Sequence, residues 1–210
     1  MTQPLNLGIM ISGRGSNMES ILAAAESPDY PAKPVLVLSN RTNSLGLLKA
    51  RERGIATMAI DHKLFGKDRE AFERHLDAAL RDAGVDIIAL AGFMRILTPW
   101  FVDRWAGRLV NIHPSLLPKY KGLHTHQRAI DAGDQQGGCS VHWVSAEVDA
   151  GSVIQQARVP IAPEDTADQL AAKVLVKEHA LYPVALAKAC QQILKNKPKN
   201  KKRPAKSGRP

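Results

Sequence analysis

Apolar positions in the first half of the chain come in short runs, and the stretches between them follow a helical period. Residues 5–11 are mostly apolar and stop at Ser12-Gly13-Arg14-Gly15. Residues 16–25 then read as a helix. Residues 34–38 are apolar and rich in β-branched side chains, and they break at Ser39-Asn40-Arg41. Residues 45–53 read as helix, 56–60 as a short strand and 69–83 as an amphipathic helix. Residues 86–91 form another apolar strand, ended by Gly92. After the segment 98–106, Leu109–His113 is a further strand, ended by Pro114. Continuous apolar strands alternating with helices predict a parallel sheet covered on both faces. The pattern then changes. Residues 139–148 and 152–159 alternate around Asp149-Ala150-Gly151, which predicts a turn-linked strand pair. A long helical stretch follows over about 165–194, and Pro183 is expected to kink or split it near Tyr182. The expected class is α/β: a mostly parallel sheet with helices on both faces and a mixed C-terminal strand pair.

Length and composition agree with one soluble α/β domain. The chain has 210 residues, 44% of them hydrophobic and 23% charged, enough to bury a sizeable core. These values exclude a coiled coil, a collagen-like rod and a wholly disordered chain. The net charge of +9 suggests a nucleic-acid partner until its location is considered. Residues 195–210 hold six Lys, two Arg and no acid, whereas the preceding 194 residues hold 21 basic and 20 acidic side chains. One folded body over 1–194 and a disordered basic tail over 195–210 are therefore expected. Cys139 and Cys190 are the only cysteines, which is no disulfide framework, so a reducing cytoplasm is the default. No signal peptide is visible, and the longest apolar run, 87–94, is far short of a membrane span.

The candidate chemistry begins at the first strand's end. Glycines in Ser12-Gly13-Arg14-Gly15-Ser16-Asn17 let backbone N–H groups converge beside a helix N-terminus, which favours an anion such as phosphate. A tight turn without ligand is the plainer alternative. A dinucleotide site fits poorly: Met18 stands where the third glycine belongs, and Ser39-Asn40-Arg41 stand where an acidic ribose ligand belongs. No Gly-Lys-Ser/Thr follows, so this is not a P-loop. Asn111 and His113 share one face at a strand's C-terminal end, where open α/β sheets place ligands. The amide suits a developing oxyanion and the imidazole suits acid–base work. Taken alone, the pair also fits an ordinary polar strand end. His113, His124, His126, His142 and Cys139 lie within thirty residues, but no metal-ligand spacing supports a site, so no metal is expected. Asp149 has turn chemistry, and it could serve His113 if the two meet. Glu178 falls on the helical stripe of Leu170, Val174, Leu181 and Ala185, where a carboxylate needs a partner or a path to water.

Together these features resemble the folate-dependent phosphoribosylglycinamide formyltransferase family, from about Leu7 to Leu194. The resemblance is carried by Ile11-Ser-Gly-Arg-Gly-Ser-Asn17, Leu90-Ala-Gly-Phe-Met-Arg-Ile-Leu97, Leu109-Val-Asn-Ile-His-Pro-Ser-Leu-Leu-Pro-Lys-Tyr120, Gly122-Leu-His-Thr-His126 and Glu147-Val-Asp-Ala-Gly151. It implies a Rossmann-like formyltransferase fold, and 10-formyltetrahydrofolate as co-substrate for transfer to the amine of 5'-phosphoribosylglycinamide in purine biosynthesis. It implies Asn111, His113 and Asp149 as the catalytic trio. Gly15, Ser16 and Asn17 would hold the substrate phosphate, and Glu178 would lie near the ribose. Met94, Arg95, Ile96 and Leu97, with Ala146, Glu147, Val148 and Asn111, would form the folate pocket. Arg69 would face the folate's glutamate tail. Two departures stand out: Arg14 where many relatives have Asn, and Lys121 where they have Pro.

The competing readings share the fold. A formyltetrahydrofolate deformylase would use water as acceptor but usually carries an N-terminal regulatory domain. A methionyl-tRNA formyltransferase adds a C-terminal RNA-binding domain, which sixteen basic-rich residues do not supply. The expected partners are small molecules and no membrane, with nucleic acid limited to weak, salt-dependent contact by the tail. Monomer and homodimer both remain open.

Overall fold

The computed structural model describes residues 3–196. Seven strands form one sheet in the order β3-β2-β1-β4-β5-β6-β7. The strands are β1 (Leu5–Ile11), β2 (Ala32–Ser39), β3 (Thr57–Ala59), β4 (Ile87–Leu90), β5 (Leu109–His113), β6 (Gln136–Trp143) and β7 (Val153–Pro160). The first five are mutually parallel, whereas β6 and β7 run antiparallel to their neighbours. The helices are α1 (Ser16–Ala24), α2 (Leu45–Glu52), α3 (Arg69–Asp82), α4 (Pro99–Arg104), α5 (Thr125–Asp131) and α6 (Ala167–Asn196). The expected fold class is the observed one.

Two cores cover the sheet. On one face α1, α2 and α6 pack through Met18, Ile21, Leu47, Leu181, Tyr182 and Leu186. On the other, α3 and α4 pack through Phe72, Leu76, Leu80, Phe101 and Trp105. Burial on both faces explains why β1 and β4 read as continuous apolar runs. The chain leaves β1 towards β2 and returns on the other side as β4. Ligand crevices form where neighbouring strands part company in this way, at their C-terminal ends.

Four local differences from the sequence expectation have physical causes. First, α6 is unbroken through Pro183. An internal proline costs about 3 kcal/mol, but Pro183 is buried and its carbonyl accepts from Tyr30 Oη at 2.9 Å. Tyr182, one residue earlier, donates to Leu90 O and Val110 O from full burial. Packing along the stripe holds the helix against the local cost. Second, α5 and a 3₁₀ turn at His62–Phe65 are too short to show a period. Third, β6 starts before Cys139, because Gly137-Gly138 hides its beginning, and ends at Trp143. The connection to β7 is thus a loop over 144–152 rather than a tight turn. Fourth, α6 runs through Lys195 and Asn196. The expected disordered tail otherwise lies outside the described residues. No helix among those described is long and apolar enough to cross a membrane.

Candidate active site

Strand pairing builds the centre of the site. Asn111 on β5 lies opposite His142 on β6, and His113 lies opposite Ser140. Opposed residues in an antiparallel pair project to the same face. The alternate residues Val110, Ile112, Cys139 and Val141 enter the core beneath α6. The polar set therefore faces the other way, towards the crevice. The loop 144–152 supplies Asp149, whose Oδ2 lies 3.2 Å from His113 Nδ1 and whose Oδ1 lies 3.5 Å from His142 Nε2. Asp149 Oδ2 also accepts from Gly122 N–H at 3.0 Å. His113 Nε2 donates to Tyr120 O at 2.9 Å. Asn111 Nδ2 stands 3.2 Å from His142 Nε2.

Electrostatics follow from these contacts. Burial pushes the Asp149 carboxyl up. The hydrogen bond and charge that His142 gives when protonated, the Gly122 bond and the charge of His113 outweigh that and hold it below the ordinary aspartate value. Asp149 is thus a carboxylate at neutral pH and can balance an imidazolium. Burial, aided by His113, pushes His126 down. Tyr120, His124 and Asp149 all have left-handed backbones, with φ of 57°, 57° and 51°. Such conformations cost energy for residues with a Cβ and gather at functional sites.

The glycine loop flanks the crevice. Gly15, at φ 75°, caps α1, and a Cβ there would come within 3.0 Å of Gly46 Cα. Gly13 O is pinned by Gly46 N–H at 3.0 Å and Ser44 Oγ at 2.7 Å. Ser16 opens α1. Asn17 Nδ2 donates to Glu178 Oε2 at 2.6 Å, tying α1 to α6. Glu178 is therefore a buried carboxylate with a partner, 8% exposed. Burial pushes its carboxyl up, and the Asn17 bond offsets only part of that. Asn17 Oδ1 is buried without a partner among the described residues. Ser12, Gly13, Arg14, Gly15, Arg41, Ala91, Gly92 and Met94 line a cleft of about 250 Å³ here.

Two loops form the remaining walls. The one after β4 carries Met94, Arg95, Ile96 and Leu97, with Met94 74% and Ile96 62% exposed. The loop is fixed at one end by Met94 N–H on Ser12 Oγ at 2.8 Å, and at the other by Thr98, whose N–H and hydroxyl bind the Glu73 carboxylate. Arg69 is exposed in the first turn of α3, one turn before Glu73. No contact joins it to the trio among the described residues. The second loop carries Ala146, Glu147 and Val148, all exposed. Lys121 Nζ reaches Glu147 Oε1 at 2.8 Å and joins this loop to the one after β5.

A model of the family described as formyl transferase matches residues 5–186. The chain belongs to the formyl transferase family. Phosphoribosylglycinamide formyltransferase of Escherichia coli (strain K12) is 45% identical over 183 residues, 87% of this chain and 86% of the relative. The protein of that name from Haemophilus influenzae is 43% identical over 180 residues, 86% of this chain and 84% of the relative. The crystal structure of phosphoribosylglycinamide formyltransferase from Brucella melitensis superposes with a TM-score of 0.85 at 48% identity, covering 90% of this chain and 96% of that one.

In this formyl transferase the histidine-rich stretch does not gather into one metal-ligand set. Cys139 lies in the core on the α6 side, where burial pushes its thiol up to about 12. Among the described residues no three His, Cys, Asp or Glu side chains converge in ligating geometry. Sequence reasoning assigned His142 no part beside Asn111 and Asp149. Its only signal was the alternation of Ser140 and His142 with Cys139 and Val141, which becomes meaningful once β6 is paired with β5.

Proposed function

We propose that this formyl transferase moves the formyl group of 10-formyltetrahydrofolate to the primary amine of 5'-phosphoribosylglycinamide, a step of purine biosynthesis. The observation that carries the reading is that Asp149 meets His113 directly and Asn111 through His142, beside the crevice between β1 and β4. The relatives' names support the acceptor, and the folate donor is what the resemblance of the sequence motifs implies.

The residues divide the work as follows. Gly15, Ser16 and Asn17 present the α1 N-terminus to the ribonucleotide phosphate, and Glu178 meets the ribose. Met94, Arg95, Ile96, Leu97, Ala146, Glu147 and Val148 receive the folate, with Arg69 at the rim for its carboxylates. As the amine attacks the formyl carbon, Asn111 donates to the oxygen that gains charge, and His113 as imidazolium stabilises it. Asp149 balances that imidazolium and accepts hydrogen bonds from its surroundings, including a water that carries a proton from amine to leaving nitrogen. Holding both substrates together supplies much of the rate without a covalent intermediate.

Loss of the formyl group is measured with and without the ribonucleotide. Loss only in its presence is expected. Loss in its absence would make water the acceptor and replace this reading by that of a deformylase.

A further inference from the structure

His142 is 1% exposed, and each of its ring nitrogens is engaged. Nδ1 lies 2.9 Å from Trp143 O, which can only accept, so Nδ1 carries a hydrogen. Nε2 faces two groups at once: Asn111 Nδ2 at 3.2 Å and Asp149 Oδ1 at 3.5 Å. These belong to the amide and carboxylate of the trio. The titratable groups facing His142 are Asp149 from the 144–152 loop and, through Asp149, His113 from β5. On its own strand the same-face neighbour is Ser140, and on β7 the opposed residue is Val153.

The ring therefore has two states with different consequences. With Nδ1–H committed to Trp143 O, a neutral His142 has a bare Nε2, which accepts one Asn111 N–H. The amide is then held with nitrogen inward, and its second N–H is left for a substrate oxygen. Once Nε2 is protonated it can only donate. It then turns to Asp149 Oδ1, and Asn111 must either leave or rotate to present its carbonyl oxygen. An acceptor at the oxyanion position would repel developing charge.

We propose that His142 is a positioning residue: its neutral Nε2 fixes the rotamer of the Asn111 amide, and its protonation releases that amide in favour of Asp149. The inference rests on the proposed formyl transfer for the role of Asn111, but its geometry can be tested without that reaction.

Full-length protein labelled with ¹⁵N in asparagine and histidine is titrated by NMR from pH 8.5 to 5. The Asn111 side-chain amide signals should shift with the midpoint of the His142 imidazole. An Asn111 amide that ignores the His142 transition overturns the proposal, whatever the enzyme catalyses. Kinetics give a second arm. His142→Asn can keep the Trp143 bond but offers no acceptor at the Nε2 position, and should lower kcat about 30-fold with folate Kd held within about threefold. His142→Gln places an amide oxygen at that position. It should recover at least part of the lost kcat, while the acidic limb of the kcat profile that tracks His142 disappears. Wild-type kcat in His142→Asn, or an unchanged acidic limb in a folded His142→Gln, would overturn the proposal.

Discussion

At the scale of single residues, burial pushes the carboxyls of both Asp149 and Glu178 up, and their partners decide the outcome. Asp149 receives hydrogen bonds and imidazole charge, so its folded value is depressed. Its contribution to stability is present above the ordinary Asp value of about 3.9 and is lost as pH falls through the folded value. Replacing its charge should strike turnover first. Asp149→Asn and His113→Ala are expected to lower kcat by at least about 100-fold while folate binding, followed by fluorescence titration, changes little. Among the described residues Asn17 alone offsets the burial of Glu178, and its folded value is raised. Stability therefore declines as pH rises through that value. Glu178→Gln should raise Tm at pH 8 by about 2–4 °C, on the order of 1 kcal/mol at this length. The gain should vanish near pH 3, below the ordinary Glu value of about 4.3, where the carboxyl is neutral in both folded and unfolded chains. The same variant should raise KM for the ribonucleotide about tenfold or more. A stabilised enzyme that binds its substrate poorly is the signature of a group kept for function.

At the scale of elements, the decisive piece is the 144–152 loop. It leaves β6 at Trp143 and folds back far enough to bring Asp149 to His113. Gly151 permits the return. A Cβ there would lie 1.7 Å from Trp143 O and 2.8 Å from its carbonyl carbon, and backbone cannot yield as a side chain can. Gly151→Ala should displace the loop and with it Asp149 and Val148. Turnover and folate affinity are both expected to fall by about tenfold or more, in contrast to the trio variants, which spare affinity. Steady-state kinetics beside a folate titration distinguish the two patterns. The Lys121–Glu147 pair joins this loop to its neighbour, but both groups reach solvent, so it adds little energy.

At the scale of the whole molecule, most of the net charge of +9 lies in residues 195–210. The family match stops at residue 186 and the described residues of α6 at Asn196, whereas most of the basic cluster follows. Removing residues 197–210 should leave Tm and formyl transfer unchanged. Any binding of the full chain to RNA at low salt should disappear with the tail and should already weaken steeply between about 50 and 200 mM salt. Gel-shift titrations at two salt concentrations, beside the activity assay, check both halves.

Much of this architecture is legible from local pattern. Doubly buried strands need unbroken apolar runs, so β1, β4 and β5 are evident, and the break at Ser12-Gly13-Arg14-Gly15 marks a strand-to-helix turn. The side chains Asn111 and His113 share a face by the period of two alone. Three things needed the tertiary structure. Helix α6 survives Pro183 because burial of its stripe, with Tyr182 and Tyr30 bonds, exceeds a local penalty no window of sequence can weigh. Glu178 finds Asn17 across 161 positions, a separation at which stripe geometry carries no information. The sequence marks Asp149 and His142 as polar residues of a turn and a strand. Only the antiparallel register of β5 with β6 and the return of the 144–152 loop set them against Asn111 and His113. Periodicity records what each segment buries, whereas the meeting of distant polar groups depends on how the segments pair.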